Sequence, residues 1–165
     1  MKKAFLVLAS LYSTTVLAKK DLPPRQINLT ATKSRELTSL STPEIADKQA
    51  ILAVIDTYIE GLKSGRVDLL KKVFYKDAIM YGFSEENKIT EGSVQHLYDI
   101  IEKNGALVNV TSKNTIQHQT SNTASVLAEL KNTSPNQNST DYLSLMKING
   151  EWKIISKVYH LSYAN

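Results

Sequence analysis

Two β-rich runs near the C-terminus carry the side chains best suited to contact a ligand. They cover residues 142–148 and 152–161 and flank Asn149-Gly150, a dipeptide that readily takes the positive φ angles of a tight hairpin turn. Alternation places Tyr142, Ser144 and Met146 on one face of the first run. On the second run it places His160 on the same face as Trp152. The hairpin is therefore predicted to form one wall of a pocket.

Two residues from elsewhere in the chain are predicted to complete this pocket. Tyr58 belongs to a helical repeat of apolar residues, and Met80 belongs to a short strand at 77–83. The predicted ligand pocket consists of Tyr58, Met80, Tyr142, Ser144, Met146, Val158 and His160. Tyr58 is either a hydrogen-bond donor pointing into the pocket or a core tyrosine with a surface hydroxyl. His160 is either a base or ligand donor or a structural residue near a strand end.

The remaining polar residues give no pattern for a cofactor or a metal. The chain has no cysteine, and its three histidines lack the spacing of a metal site. No phosphate-binding loop, dinucleotide fingerprint or Ser-His-Asp order is present, so no cofactor, no metal and no catalytic residue are predicted. Asp77 and Asp141 stand at strand starts, where binding of backbone amides is favoured over a role as pocket carboxylates.

The N-terminus has the pattern of an export signal. Lys2 and Lys3 precede an apolar stretch too short to span a bilayer, and Val16-Leu-Ala18 offers small residues at the cleavage positions. We expect a signal peptide at 1–18 and a product that is periplasmic or secreted. Removing it leaves 18 basic against 16 acidic side chains, a net charge of +2. That charge argues against a nucleic-acid partner, and no later segment is apolar enough to predict membrane insertion.

The rest of the chain predicts one tethered domain. Residues 19–43 are rich in Pro, Ser and Thr without apolar period and are predicted to be a disordered tether. Residues 44–161 predict helices at 44–63, 67–74 and 93–103, the strand at 77–83, and four later strands. Residues 131–140, which include Pro135, predict a polar loop between two of these strands. The class is α+β, with helices on one face of an antiparallel sheet.

Residues 57–80 resemble the opening of nuclear transport factor 2-like domains. The shared features are a helix with a tyrosine near its end, a Gly-containing turn, a short helix, and Phe-x-x-Asp-Ala before a strand. In this chain they run from Thr57-Tyr-Ile-Glu-Gly to Phe74-Tyr-Lys-Asp-Ala78. The final hairpin, Asp141-Tyr-Leu-Ser-Leu and Gly150-Glu-Trp-Lys-Ile-Ile-Ser-Lys-Val-Tyr-His, is similar to the lumazine-binding branch. The chain is also similar to SnoaL-like and ketosteroid isomerase-like proteins.

This resemblance implies a cone-shaped, strongly curved antiparallel sheet that wraps three helices. It also implies a cavity at the open end of the cone and a homodimer formed through the convex face. Apolar residues occupy both faces of the last hairpin, which agrees with a covered outer face.

Ketosteroid isomerase offers a residue-by-residue comparison within the same superfamily. The tyrosine that donates to the substrate oxygen falls on Tyr58, whereas the general base falls on Gly82 and the second acid on Ser144. Because proton abstraction needs a base and the enolate needs a pair of donors, isomerase chemistry is disfavoured.

Three functions remain open, in order of preference. The first is an exported, non-catalytic protein that binds a small apolar or aromatic ligand or acts as an accessory protein. The second is a hydrolase, dehydratase or isomerase that uses Tyr58 and His160. The third is a dimeric module whose outer sheet face binds a protein.

Cleavage of the signal generates the first testable prediction. The mature protein should begin at Lys19, because Ala18 closes the basic, apolar and small-residue series. N-terminal sequencing of protein recovered outside the cytoplasm measures this directly. A product that retains Met1 in that fraction would refute the prediction.

Overall fold

The structure is a computed structural model that describes residues 42–83 and 88–163. The predicted signal peptide at 1–18 and the predicted tether at 19–43, apart from its last two residues, lie outside the described residues. The described helices and strands belong to one compact unit. Within this part of the chain, no helix combines the length and apolarity needed to cross a bilayer.

Three helices and six strands make up the described fold. The helices are α1 (Thr42–Ser64), α2 (Val67–Val73) and α3 (Gln95–Asn104). The strands are β1 (Phe74–Phe83), β2 (Ile89–Thr90), β3 (Thr111–Gln119), β4 (Thr123–Ser134), β5 (Gln137–Ile148) and β6 (Glu151–Tyr163). The predicted helices and main strands are confirmed, and the two-residue β2 is an addition. The α+β class, with three helices against a curved sheet, is confirmed.

The sheet is mixed rather than fully antiparallel. Its strand order is β2-β1-β6-β5-β4-β3, and the β1–β6 pair is parallel while the other pairs are antiparallel. Strands β3 to β6 form an antiparallel meander, and its last strand returns beside β1 in the same direction. The prediction of a purely antiparallel sheet is therefore wrong at this pair, because sequence alternation does not report the partner of a strand.

The hairpin between β4 and β5 is longer than predicted. Residues 131–140 do not form a polar loop, because β4 continues to Ser134 and β5 begins at Gln137. Asn132 and Asn136 take positive φ angles of 60° and 58°, which bend the hairpin near its tip. Polar side chains in a strand are tolerated here because all of residues 131–140 except Ser139 are at least partly exposed.

Helix α1 packs its apolar stripe onto the concave face of the sheet. The stripe contains Ile51, Ile55 and Leu62, each at most 3% exposed. The predicted alternation in β4 is confirmed, since Ala124, Val126, Ala128 and Leu130 are buried and Glu129 is exposed. Trp152 lies beneath α1 as predicted, and its indole Nε1 donates to Asp47 Oδ1 at 3.1 Å.

A β-bulge at Ile155 changes which side chains of β6 point inward. Ser156 pairs with Ser144 and Ile154 pairs with Leu145, so Ile155 has no partner on β5. Before the bulge Trp152 and Ile154 face inward, and after it Lys157 does. The same strand therefore contributes to the core under α1 at one end and to a cavity at the other.

Candidate functional site

A cavity of about 1130 Å³ opens between the helices and the concave face of the sheet. Its walls come from α1, α3, residues 106–109, the tip of the β4–β5 hairpin, and strands β1 and β6. The segment at 106–109 is held against α1, because the Leu107 amide donates to the Leu62 carbonyl at 2.9 Å. The apolar part of the lining consists largely of Leu62, Met80, Leu97, Ile101, Leu107 and Leu130.

Four polar side chains meet at the floor of this cavity. The Tyr58 hydroxyl donates to Asp141 Oδ2 at 2.7 Å, and the Ser139 hydroxyl donates to Asp141 Oδ1 at 2.6 Å. Lys157 Nζ forms an ion pair with the same Oδ1. We call Tyr58, Ser139, Asp141 and Lys157 the floor cluster. Asp141 is fully buried and Lys157 is 5% exposed, so both charges are largely removed from bulk solvent. Both residues nevertheless belong to the cavity lining.

Local geometry explains why these side chains converge. Tyr58 continues the buried stripe of α1, one helical turn after Ile55. Ser139 and Asp141 point inward because they share the inward-facing alternation of Leu143 on β5. Lys157 points inward only because the bulge at Ile155 reverses the alternation of β6.

Burial shifts the proton affinities of two members of the cluster. Loss of solvation, and then the charge and hydrogen bond of Asp141, raise the pKa of Tyr58 well above its ordinary value. Tyr58 is therefore a neutral donor at physiological pH. Loss of solvation also lowers the pKa of Lys157, and Asp141 opposes this shift.

Two aromatic rings lie near the ammonium of this lysine. The Tyr159 ring centroid lies 4.7 Å from Lys157 Nζ, and the Tyr58 ring centroid lies 5.9 Å from it. Gly82 makes room for Tyr159, since a Cβ at Gly82 would lie 2.4 Å from the Tyr159 ring. An aspartate at position 82 would therefore collide with this ring rather than supply a base to the cavity.

The cavity mouth has a different chemistry from its floor. The exposed side chains of four asparagines, Asn104, Asn109, Asn132 and Asn136, belong to the lining. The Asn132 side-chain amide donates to the Asn109 carbonyl at 3.5 Å, which links the hairpin tip to the segment after α3. The rim can thus exchange amide hydrogen bonds with a ligand whose other end contacts the floor cluster.

Two of the seven predicted pocket residues lie in this cavity, and five do not. Tyr58 and Met80 line it. The hairpin residues are exposed on the convex face instead: Tyr142, Ser144, Met146, Val158 and His160. These five do share one face, but the inward assignment of that face is wrong. For the three residues on β5 the reason is the turn register, which places Lys147 rather than Met146 opposite Trp152. For Val158 and His160 the reason is the bulge at Ile155, which separates them from the inward face of Trp152.

Of the other polar residues considered from the sequence, only Asp141 lies in the cavity. His160 is on the outer face while Tyr58 is inside, so the two cannot act on one ligand atom. Ser144, the position matched to the second acid, also faces outward. Asp77 is exposed and contacts Lys76, whereas Asp141 is a buried cavity carboxylate, not a turn residue. Among residues 42–83 and 88–163, no three acidic or histidine side chains group as a metal site would require.

Sequence reasoning missed Ser139, Asp141, Lys157 and Tyr159 as site residues, although one signal for Asp141 was available. A two-residue turn at Asn149-Gly150 pairs Ile148 with Glu151, and it therefore places Lys147 opposite Trp152. The inward face of Trp152 then continues along β5 to Asp141 by alternation. No comparable signal locates Lys157, because the bulge leaves no clear mark in the sequence.

Comparison with known proteins gives consistent matches over most of the chain. A family model described as "Putative lumazine-binding" matches residues 46–160. An NTF2-like protein of unknown function from Methylobacillus flagellatus KT is 30% identical, and the match covers 75% of this chain and 96% of that one, with a TM-score of 0.68. A second NTF2-like protein, from Shewanella baltica OS155, is 26% identical over 75% of this chain and 100% of that one, with a TM-score of 0.62.

One similar protein carries the name of an enzyme. A protein from Cladobotryum sp named "Aldolase FrzH" is 27% identical over 115 residues, which are 70% of this chain and 91% of that protein.

The floor cluster generates a prediction about stability. Asp141→Asn should lower the free energy of unfolding by about 3–5 kcal/mol, because it leaves Lys157 without a counter-charge in a buried site. Urea unfolding followed by circular dichroism measures the loss.

Asp68→Asn is the matched control. It breaks the exposed Arg66–Asp68 pair, whose side chains are 59% and 65% exposed, and should cost at most about 1 kcal/mol. Adding Lys157→Met to Asp141→Asn should recover part of the stability. Equal losses for Asp141→Asn and Asp68→Asn would contradict the assignment of a buried pair.

Proposed function

The chain belongs to the "Putative lumazine-binding" family of nuclear transport factor 2-like proteins, and from that premise we propose that its cavity binds a small organic molecule. The ligand has a planar, mainly apolar body and at least one carbonyl-type oxygen. The protein acts first as a binding protein. Its place of action is outside the cytoplasm, in the periplasm or secreted, as the N-terminal signal pattern predicts.

One observation carries this proposal. A large cavity with an apolar wall ends on a buried charged cluster, and polar groups that converge in an apolar cavity are the usual signature of a ligand site. Its volume of about 1130 Å³ lies slightly above the usual range for small-molecule sites, about 300–1,000 Å³.

The distribution of polar groups indicates the ligand's chemistry. Lys157 has three N–H donors and spends one on Asp141, so its ammonium can also donate to a ligand oxygen at the floor. The floor pair carries no net charge, which favours a neutral ligand over an anion. The asparagine rim suits a hydroxylated or amide-bearing end of the same molecule.

Catalysis on a carbonyl compound is the second candidate. Two observations favour it: the name of the aldolase relative, and a lysine beside a carboxylate inside the cavity. The earlier enzyme hypothesis, built on Tyr58 with His160, has lost its geometric basis because those residues face opposite sides of the sheet.

Occupancy of the cavity can be tested with one blocking variant. We expect native mass spectrometry of protein purified from its own host to detect a bound small molecule. Ala106→Trp should weaken this signal, because Ala106 is an exposed residue of the cavity lining and an indole there would occupy part of the opening. Fluorescence titration with lumazine provides a defined probe of the same site.

Glu102→Trp is the matched control, since Glu102 is exposed on α3 and does not line the cavity. It should retain both the bound compound and lumazine binding. The proposal fails if the unmodified protein carries no small molecule and does not bind lumazine, or if both tryptophan variants bind equally well.

We also propose that two copies of the chain associate through their convex sheet faces. On this face Tyr81 pairs with Val158, Val158 pairs with Tyr142, and Tyr142 pairs with Leu127. These residues form an apolar row across four strands, and Tyr81, Tyr142 and Val158 are 41%, 51% and 50% exposed. An uncovered row of this length favours burial against a second copy.

Lysines introduced on the convex face of the sheet test the proposed dimer. Light scattering at micromolar concentration should give twice the monomer mass, and Tyr81→Lys with Tyr142→Lys should give the monomer mass because buried ammonium groups would face each other. Gln49→Lys, on the exposed side of α1, is the control and should stay dimeric. A strictly monomeric unmodified protein would exclude the interface.

A further inference from the structure

We propose that Lys157 is a nucleophilic amine that condenses with the carbonyl group of a neutral aldehyde or ketone in the cavity to form an iminium. This inference rests on the proposed function, because it takes the cavity to be a binding site for a carbonyl compound. It adds a covalent step and names the reacting atom, Lys157 Nζ.

The position of Lys157 is the first argument. Lysine side chains almost never lie fully buried unless they are paired. The next residue of the strand, Val158, is exposed, so a side chain at that position points to solvent, whereas Lys157 is buried. The bulge at Ile155 instead directs Lys157 inward, where it lines the cavity. A lysine that served only as the counter-charge of Asp141 would need no open volume beside it, whereas Lys157 lines the cavity.

The surroundings of Nζ supply the second argument. The titratable groups that face Lys157 are Asp141 from β5, Tyr58 from α1 and Tyr159 from its own strand. Within the described residues Asp141 is the single hydrogen-bond acceptor for the ammonium, so the amine has N–H groups directed elsewhere. Desolvation lowers the pKa of Lys157, which increases the share of free amine.

The atoms and charges of the step balance within the floor cluster. Asp141 takes one proton from the ammonium, and the free amine adds to the carbonyl carbon to give a carbinolamine after proton transfer from nitrogen to oxygen. Protonated Asp141 then returns its proton to the hydroxyl, which leaves as water. Lys157 ends as an iminium and Asp141 as a carboxylate.

The product keeps the electrostatics of the starting site. An iminium has the same single positive charge as the ammonium, so its pairing with Asp141 and its contacts with the Tyr58 and Tyr159 rings persist. The buried carboxylate is therefore never left without a counter-charge in the final state. Tyr58 and Ser139 act as positioning residues, because both donate to the Asp141 carboxylate.

Borohydride reduction tests the proposal on the full protein. The protein is incubated with cyclohexanone at neutral pH, reduced with sodium borohydride and digested for peptide mass mapping. An iminium at Lys157 leaves a secondary amine, heavier by the ketone minus one oxygen atom. We expect labelling of Lys157 to exceed that of Lys153, a more exposed lysine on the same strand, because only Lys157 of the two lines the cavity that holds the ketone.

Two variants separate chemistry from folding. Lys157→Met should lose the modification while Lys153 keeps its low background, with circular dichroism confirming the fold. Asp141→Asn should shift the pH profile of labelling to lower pH, because Asp141 raises the pKa of Lys157 and its removal lowers that pKa further. Labelling of Lys157 no greater than that of Lys153, or a profile unmoved in a folded Asp141→Asn protein, overturns the proposal.

A binding measurement distinguishes this inference from the proposed function. Saturation-transfer NMR reports cyclohexanone bound in the cavity, with Ala106→Trp as the reference in which access to the cavity is reduced. Ketone bound without any adduct at Lys157 overturns the covalent step and leaves the binding function standing. No bound ketone, no bound lumazine and no co-purified compound together overturn both.

Discussion

The ion pair of Asp141 and Lys157 is the constraint on which the cavity depends. Placing two charges where protein excludes solvent is costly unless each oxygen and each N–H finds a partner. Here the carboxylate accepts from Tyr58, Ser139 and Lys157, and the ammonium also lies near two aromatic rings. The cluster joins α1, β5 and β6 at one point, so the position of the first helix over the sheet and the shape of the cavity floor are set together.

The bulge at Ile155 lets one strand serve two purposes. Upstream of it, Trp152 closes the core beneath α1 and donates to Asp47. Downstream, Lys157 and Tyr159 face the cavity, and the missing side chain of Gly82 leaves space for the Tyr159 ring. A bulge locally increases twist as well as reversing alternation, which fits a sheet that curves around its helices without closing.

The two faces of the sheet have different chemistry. Inside, charge and hydrogen bonding are concentrated at a few buried atoms. Outside, residues such as Tyr81 and Tyr142 expose apolar surface in a continuous row across the strands. Ligand binding and self-association can therefore operate on opposite faces of one sheet, with β6 contributing to both.

The sequence by itself determined the features that depend on local chemistry: the apolar stripe of α1, the alternation of β4, the Asn149-Gly150 turn and the place of Trp152. These follow from helical and strand periodicity within short windows. Only the tertiary structure decided the parallel β1–β6 pair, the inward face of the last hairpin and the contact between Tyr58 and Asp141, which are 83 residues apart. The physical reason is that alternation divides a strand into two faces but does not say which is inside, and one bulged residue exchanges them.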